Sequence, residues 1–449
     1  MKNPVLISLA ILAAPALAWS VEPRFSAPPD RSAETNSVQL APEFIARLAE
    51  EMRTNHPALL AMVARTNAAA AGVRAVRTWD DPMLRVGGLA AREDMRADDG
   101  DIIYGAEQKL PLFGKPALAR RAAQVELDVE MASADYQFQI LRSELAKLTF
   151  RTAFAGQVIV IGQQDLGWLQ TISETMEARY QSGGATRVEV LQVKNEQGKR
   201  ETQLQTDRAN LTHLHVSLNR LLNRDLQSPW PALELPAVAG PVEFSEKLVN
   251  YATRYEPKLR MMRERVRLAQ AMLDSTRRRR LPEVSAGIQS RNYSGKGDWR
   301  QTEFMLSFNL PLFNSKRYRA DIEREEAGLE AARFDAADYE LSLREEVHQL
   351  TVKIDAARRE ALLYGDDILP RSRLALESAR AAWEAGRGAF RDVLDARRML
   401  LEARLMQSRA VAEQYQMLSE LVLCCGLGDM ESLQMIGAEP KFQSEGTKP

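Results

Sequence analysis

Asp392 and Asp395 stand three residues apart, so on a helix they share one face. If copies of the chain assembled symmetrically, each would become a ring of carboxylates, which attracts cations and can hold a basic neighbour. The same two residues also suit a helix start, where the dipole favours acids. Both readings stand on sequence. The other reactive residue types give less. His213 and His215 are two apart and point about 200° apart on a helix, a poor chelate. His56 and His348 are the other two histidines of the chain. The two cysteines are adjacent, Cys424-Cys425, a spacing that strains a mutual disulfide, and they read as small apolar residues near a helix end. The sequence has no Gly-rich phosphate loop, metal-ligand cluster or nucleophile motif. We therefore expect no enzyme activity, no catalytic residue, no metal and no cofactor.

The elements that would position such groups come from an internal duplication. Leu110-Pro111-Leu112-Phe113 returns as Leu310-Pro311-Leu312-Phe313, an offset of 200 residues. The same offset, without gaps, aligns Leu48 with Leu248, Pro57 with Pro257, Leu59 with Leu259, Pro82 with Pro282 and Gly87 with Gly287. Two prolines, a glycine and a tetrapeptide in one register indicate two copies of one structural unit. The first repeat takes residues 42–226 and the second 245–426, joined by a Pro-rich connector at 227–244.

Each repeat begins with short helices broken by Pro57 or Pro257. A β-hairpin follows at about 83–110 and again at about 283–310. In the second, Phe304, Leu306, Phe308 and Leu310 alternate with Met305, Ser307 and Asn309, leaving one strongly apolar face. Segments of about ten residues match the length of a tilted membrane strand. The sequence offers no further strand signal to cover that face. Four strands per chain would leave two edges, which lipid does not tolerate, so closure between chains is expected.

After each Leu-Pro-Leu-Phe the chain reads as a long helical hairpin, at about 114–226 and 315–426. Pro116 to Gln181 contains no interior proline; its 66 residues as one helix would reach about 100 Å. The first rod turns at Gly183-Gly184 and the second at Gly386-Arg387-Gly388, where the offset becomes 203. Gly365 and Pro370 are expected to interrupt the second rod. The exposed tips are candidate docking points for a partner, beside the plainer reading that glycine allows positive φ in a tight turn.

Net charge is -1, from 60 basic and 61 acidic residues, which gives no bulk argument for nucleic acid. The local run Arg277-Arg278-Arg279-Arg280 could bind nucleic acid, but its place before a membrane strand favours lipid phosphate or acids of a neighbouring chain. Residues 1–18 read as a secretory signal, with Lys2, an apolar run from Val5 to Leu17 and the cleavage pattern Ala16-Leu17-Ala18. No cysteine follows, so no lipid anchor is expected. An extended arm at 19–41 precedes the first repeat, and a partly disordered tail is expected at 427–449. No later apolar stretch of membrane-spanning length is expected.

The signal, the duplication, the strand hairpin ending in Leu-Pro-Leu-Phe, the long helical hairpin and the turns Tyr180-x-x-Gly183 with Val190-Leu191 and Trp383-x-x-Gly386 with Val393-Leu394 together resemble the TolC-type outer-membrane efflux proteins. The fold class is then mostly α with a small β part: duplicated long helical hairpins plus two β-hairpins. The resemblance implies a homotrimer with a twelve-stranded outer-membrane barrel and a periplasmic helical tunnel. It also implies a periplasmic adaptor and an inner-membrane transporter as partners, and outer-membrane lipid around the barrel. Gly183, Gly184, Gly386 and Gly388 would be adaptor-docking tips, with the gate near them. Leu110, Pro111, Phe113, Leu310, Pro311 and Phe313 would form the barrel–helix junction. Asp81-Pro82 and Leu112-Phe113-Gly114-Lys115 are most similar to the ducts of cation exporters of the resistance-nodulation-division class. The expected function is a passive exit duct for metal cations or small toxic molecules. A type I secretion duct and a secreted coiled-coil structural protein are the rival readings.

Overall fold

The computed structural model describes residues 37–89, 101–293, 298–309 and 311–428. The expected signal peptide, most of the N-terminal arm, the two strand-connecting loops, Leu310 and nearly all of the tail lie outside the described residues.

In the first repeat, α1 (Pro42–Asn55) and α2 (Pro57–Ala75) lead into β2 (Met83–Leu89) and β3 (Asp101–Lys109). The rods α3 (Lys115–Gln181) and α4 (Arg187–Leu222) follow. In the second, α5 (Glu246–Tyr255) and α6 (Pro257–Arg279) lead into β5 (Glu283–Tyr293) and β6 (Trp299–Asn309). Then come α7 (Ser315–Leu362), a π-helical turn at Leu363–Ile368, α8 (Leu369–Glu384) and α9 (Phe390–Cys424). The duplication is visible in the packing. Leu48, Met52 and Leu59 are buried with α3 and α4, and Leu248, Ala252 and Leu259 are buried with α7 and α9.

The short helices also start alike. Pro57 and Pro257 occupy the first turn, where their missing N–H costs nothing. The residue before each supplies the cap: His56 Nδ1 accepts from the Ala58 N–H at 3.2 Å, and the Glu256 carboxylate accepts from the Leu259 N–H. The Tyr339 hydroxyl donates to Glu256 at 3.1 Å. Burial lowers the His56 pKa and raises that of Glu256.

Three expectations need correction. Gly365 and Pro370 do not interrupt the second rod. The π turn absorbs them, because its wider i→i+5 pattern leaves room for the proline ring and asks no bond of its missing N–H. The segments of 48, 6 and 16 residues together exceed the 67 of α3 by three, which is the change in offset between the two tips. A further strand pair also exists. β1 (Ser37–Gln39) pairs in parallel with β4 (Ala232–Glu234), so the arm is tied to the connector through Ser37↔Ala232 and Gln39↔Glu234. Three residues are too short a run to carry a periodicity in sequence. Finally, the helical segment Leu112–Gln181 does contain a stretch apolar enough, by length and composition, to cross a bilayer. Half of that stretch is buried inside the chain, where it forms core.

The His56 cap carries a sign. The neutral ring accepts the helix bond, and the folded pKa lies below the unfolded 6.5, so the unfolded chain binds the extra proton. The stabilisation is complete above pH 6.5 and is lost as pH falls through the folded value. We expect a lower melting temperature on acidification through this window, measured by circular dichroism. His56→Asn, which caps without titrating, should flatten that part of the profile.

Candidate functional site

The sheet is one antiparallel array in the order β2-β3-β5-β6. β3 joins β5 from the other repeat, from Asp101↔Tyr293 to Lys109↔Ser285, and this pairing merges the two hairpins. At Gly105 the backbones come so close that a Cβ would lie 2.6 Å from the Ile288 carbonyl oxygen. The register sorts the side chains into two faces. Leu84, Val86, Tyr104, Ile288, Phe304, Leu306 and Phe308 share one face and are exposed, Phe304 to 83%. The opposite face is polar and paired: Arg85 with Glu107, Arg291 with Glu303 at 3.6 Å, and Lys109 with Glu283 at 2.8 Å. An apolar face open to the outside and a charged face behind it is the pattern of a strand array between lipid and water. In the chain, β2 and β6 are edges.

Leu-Pro-Leu-Phe ends the strands. The Leu110 N–H still donates to the Val284 carbonyl at 2.8 Å, and Pro111 then stops the ladder for want of a donor. Phe113 and Gly114 turn the chain left-handed, at φ 60° and 69°, and α3 begins at Lys115. Phe113 is 44% exposed and Phe313 95% exposed, so both aromatic rings reach the surface at the strand–helix boundary. Pro311 lies in the matching 3-10 turn, Pro311–Asn314.

Both tips close with the same bonds. The Gly184 N–H donates to Arg179 O at 2.7 Å and the Gly183 N–H to Tyr180 O at 3.1 Å. The Arg387 N–H donates to Ala382 O at 2.8 Å and the Gly386 N–H to Trp383 O at 3.0 Å. This double closure needs a left-handed residue, and Gly183 and Gly386 supply it at φ 79° and 71°. Gly388 is required for space instead, since a Cβ there would meet Ala382 Cβ at 3.1 Å; Gly184 would accept one. The two tips pack as one body. Met176, Val193, Trp383, Phe390 and Val393 are buried together, and Arg179 lies over the Trp383 ring at 4.1 Å. Tyr180, Val188 and Leu191 remain exposed on the first tip.

Asp392 and Asp395 lie in the first turns of α9. Asp395 is engaged by Arg391 at 3.6 Å and Arg398 at 3.1 Å. Arg398 continues to Glu196 of α4 at 2.8 Å. Asp392 is exposed. The central carboxylate of the region is one that sequence reading missed. Asp165 of α3 is 4% exposed and accepts from Arg200 of α4 and Arg397 of α9, both at 2.9 Å. Arg397 also stacks over Trp168 at 4.9 Å. One carboxylate thus joins three helices and both helical hairpins. A signal was present: Ile161, Asp165, Leu169, Ile172 and Met176 recur at three- and four-residue spacing, so the acid lies on the core stripe.

The family description "Outer membrane efflux protein" matches two stretches, residues 48–224 and 248–427. The chain belongs to this outer membrane efflux protein family. Its fold is similar to that of the outer-membrane channel OprN, with TM-score 0.75 and 18% identity over 86% of this chain and 90% of that one. It is also similar to the outer membrane protein VceC from Vibrio cholerae (TM-score 0.73, 17% identity, 86% and 96% covered). The third likeness is to CusC, whose structures describe transmembrane channel formation (TM-score 0.74, 17% identity, 86% and 93% covered). No curated protein sequence matches the chain. This efflux protein is an outer-membrane channel of the TolC type, with its strands in the outer membrane and its helices in the periplasm. Its family is one of channels, not of enzymes.

Asp165→Ala should leave two largely buried guanidinium groups unpaired, at a cost of about 3 kcal/mol. Arg398→Ala, at a more exposed pair, should cost under about 1 kcal/mol. Denaturant midpoints of the two variants would check this; equal losses would show that Asp165 is not the critical joint.

Proposed function

We propose that three copies close into a twelve-stranded barrel and a continuous helical tunnel, the passive exit duct of a tripartite efflux pump. The observation that carries this is the four-stranded sheet with an apolar outer face and two open edges. A β-sheet edge in lipid leaves backbone groups without partners, and only closure removes it. The duplication supplies the closing pattern. β3 of repeat one already pairs with β5 of repeat two. Shifting each strand by the 200-residue offset places β6 of one copy beside β2 of the next, with Lys109↔Ser285 becoming Asn309↔Arg85. Lipid then contacts the apolar face around the whole ring.

The duct supplies a path and a gate, and the energy comes from an inner-membrane transporter. A periplasmic adaptor docks on the tips, where Gly183 and Gly386 have open space beside them and Tyr180, Val188 and Leu191 present apolar surface. The gate lies at the same end. Asp165 with Arg200 and Arg397 holds the two hairpins together, and Asp395 with Arg398 and Glu196 adds a second, more exposed tie. Asp392 remains the candidate for a cation-attracting carboxylate ring. The substrate class that fits is metal cations or small toxic molecules.

The native mass of the protein, extracted in mild detergent from the outer membrane, should be near three times the chain mass. A soluble monomer or dimer would sink the barrel. Within the trimer, Ser307→Cys with Gly87→Cys should cross-link neighbouring copies through a short bis-thiol reagent, as the repeat register requires. Gly386→Val should leave trimers intact while lowering adaptor co-purification several-fold, because the added side chain both strains the left-handed turn and blocks the tip. Unchanged adaptor binding would remove the tip from the interface.

A further inference from the structure

Basic residues crowd the band where strands meet helices. In the four junction segments 74–82, 109–121, 276–283 and 309–321 there are thirteen basic residues and four acidic ones, although the chain as a whole carries a net charge of -1. The four acids are already taken. Asp81 pairs with Arg77, Asp80 with Lys109 at 3.5 Å, Glu283 with Lys109 and Lys115, and Asp321 with Arg324 at 3.7 Å. Arg278, Arg279 and Arg280 are exposed, with no carboxylate partner among the described residues. The same is true of Arg120 and Arg121 in α3 and of Lys316, Arg317 and Arg319 in α7.

Local helix energetics do not explain this. The arginines of α6 lie in its last turn, where the dipole favours cations. The basic residues of α3 and α7 lie near helix starts, where the dipole disfavours them. What all of them share is position: the level at which the apolar strand face ends. Exposed aromatic rings mark that level, with Trp79, Phe113 and Phe313 beside the basic groups. Aromatic rings next to long cationic side chains at the end of an apolar face form an interface with lipid headgroups. Three successive arginines on a helix also sweep about 200°, so the cluster presents charge outward whatever the rotation of α6.

We propose that this belt is a binding site for anionic phospholipid headgroups in the leaflet nearest the helices, and that it fixes the depth of the barrel in the membrane. The ligand chemistry is a phosphodiester without a compensating amine, such as phosphatidylglycerol. A multivalent basic surface attracts anionic lipid in proportion to its charge and is screened by salt. The proposal rests on the barrel reading above.

The test reconstitutes the full-length protein in vesicles of phosphatidylcholine with one third phosphatidylglycerol. Lipids retained on the protein are then counted by native mass spectrometry. Phosphatidylglycerol should be enriched several-fold over its bulk share, and enrichment should fall in high salt. Arg278→Gln, Arg279→Gln, Arg280→Gln, Lys316→Gln and Arg317→Gln combined should bring it to the bulk share. The matching variant with lysine at the four arginine positions should keep it. Bulk-share retention by the unmodified protein overturns the proposal, as does enrichment that survives the glutamine changes. If the glutamine variant fails to fold, the unmodified protein decides the matter through its enrichment and salt dependence. Loss of adaptor binding with lipid retention unchanged assigns the belt to a protein contact, also overturning it. Failure to enter these vesicles would instead refute the barrel, and this proposal with it.

Discussion

A β-sheet in hydrocarbon cannot keep an open edge, and that constraint governs the rest of this chain. Four strands form one antiparallel sheet and stop, with β2 and β6 unpaired on their outer sides. β3, β5 and β6, of 9, 11 and 11 residues, are long enough for a tilted crossing, and the sheet is apolar on one face only. No described residue of the chain covers that face, since the helices attach at the strand ends. The sheet is therefore stable in lipid only as part of a closed ring. The duplication makes closure economical. A sequence that pairs repeat one with repeat two inside a chain has, by the same offset, the residues to pair repeat two with repeat one of the next copy.

The helices meet a different requirement: they must stay packed over a great length without a globular core. They do so with a narrow apolar stripe and discrete polar joints. Leu145, Phe150, Ile161 and Met176 are almost fully buried along α3, while much of its remaining surface is open. Asp165 interrupts this stripe with a charge, tolerable only because two arginines reach it from two other helices. An apolar residue at that position could serve packing equally well. A charged joint differs in that it opens through exchange with water rather than through exposure of core.

The features legible in sequence were those with a period or a forbidden backbone. The alternation of Phe304, Leu306 and Phe308, the proline that ends each strand and the glycines of the tips are local facts, and the structure places them in a strand, at junctions and in left-handed turns. What escaped reading depended on distant partners. Asp165 is an ordinary acid until Arg397, more than two hundred residues away, is beside it. Pro370 reads as a helix breaker unless a π turn precedes it. Ser37–Gln39 becomes a strand only because Ala232–Glu234 lies alongside. Asp395, legible as an acid on an exposed face, turned out to be neutralised by arginines one turn to either side.

The two copies have diverged where their neighbours differ. His56 and Glu256 occupy the same position and cap the same helix start, yet burial disfavours the charged form of each and so moves their pKa values in opposite directions. The second repeat alone contains the π turn, where Gly365 faces Gln407 so closely that a Cβ would lie 2.7 Å from its amide nitrogen. That turn lets three additional residues enter the outgoing rod without breaking it. At the tips, Trp383 and Phe390 are buried against Met176 and Val193 of the first rod. A strict repeat would give two equivalent tips. Here Trp383 and Leu394 are buried where their counterparts Tyr180 and Leu191 are exposed, although both turns close with the same bonds.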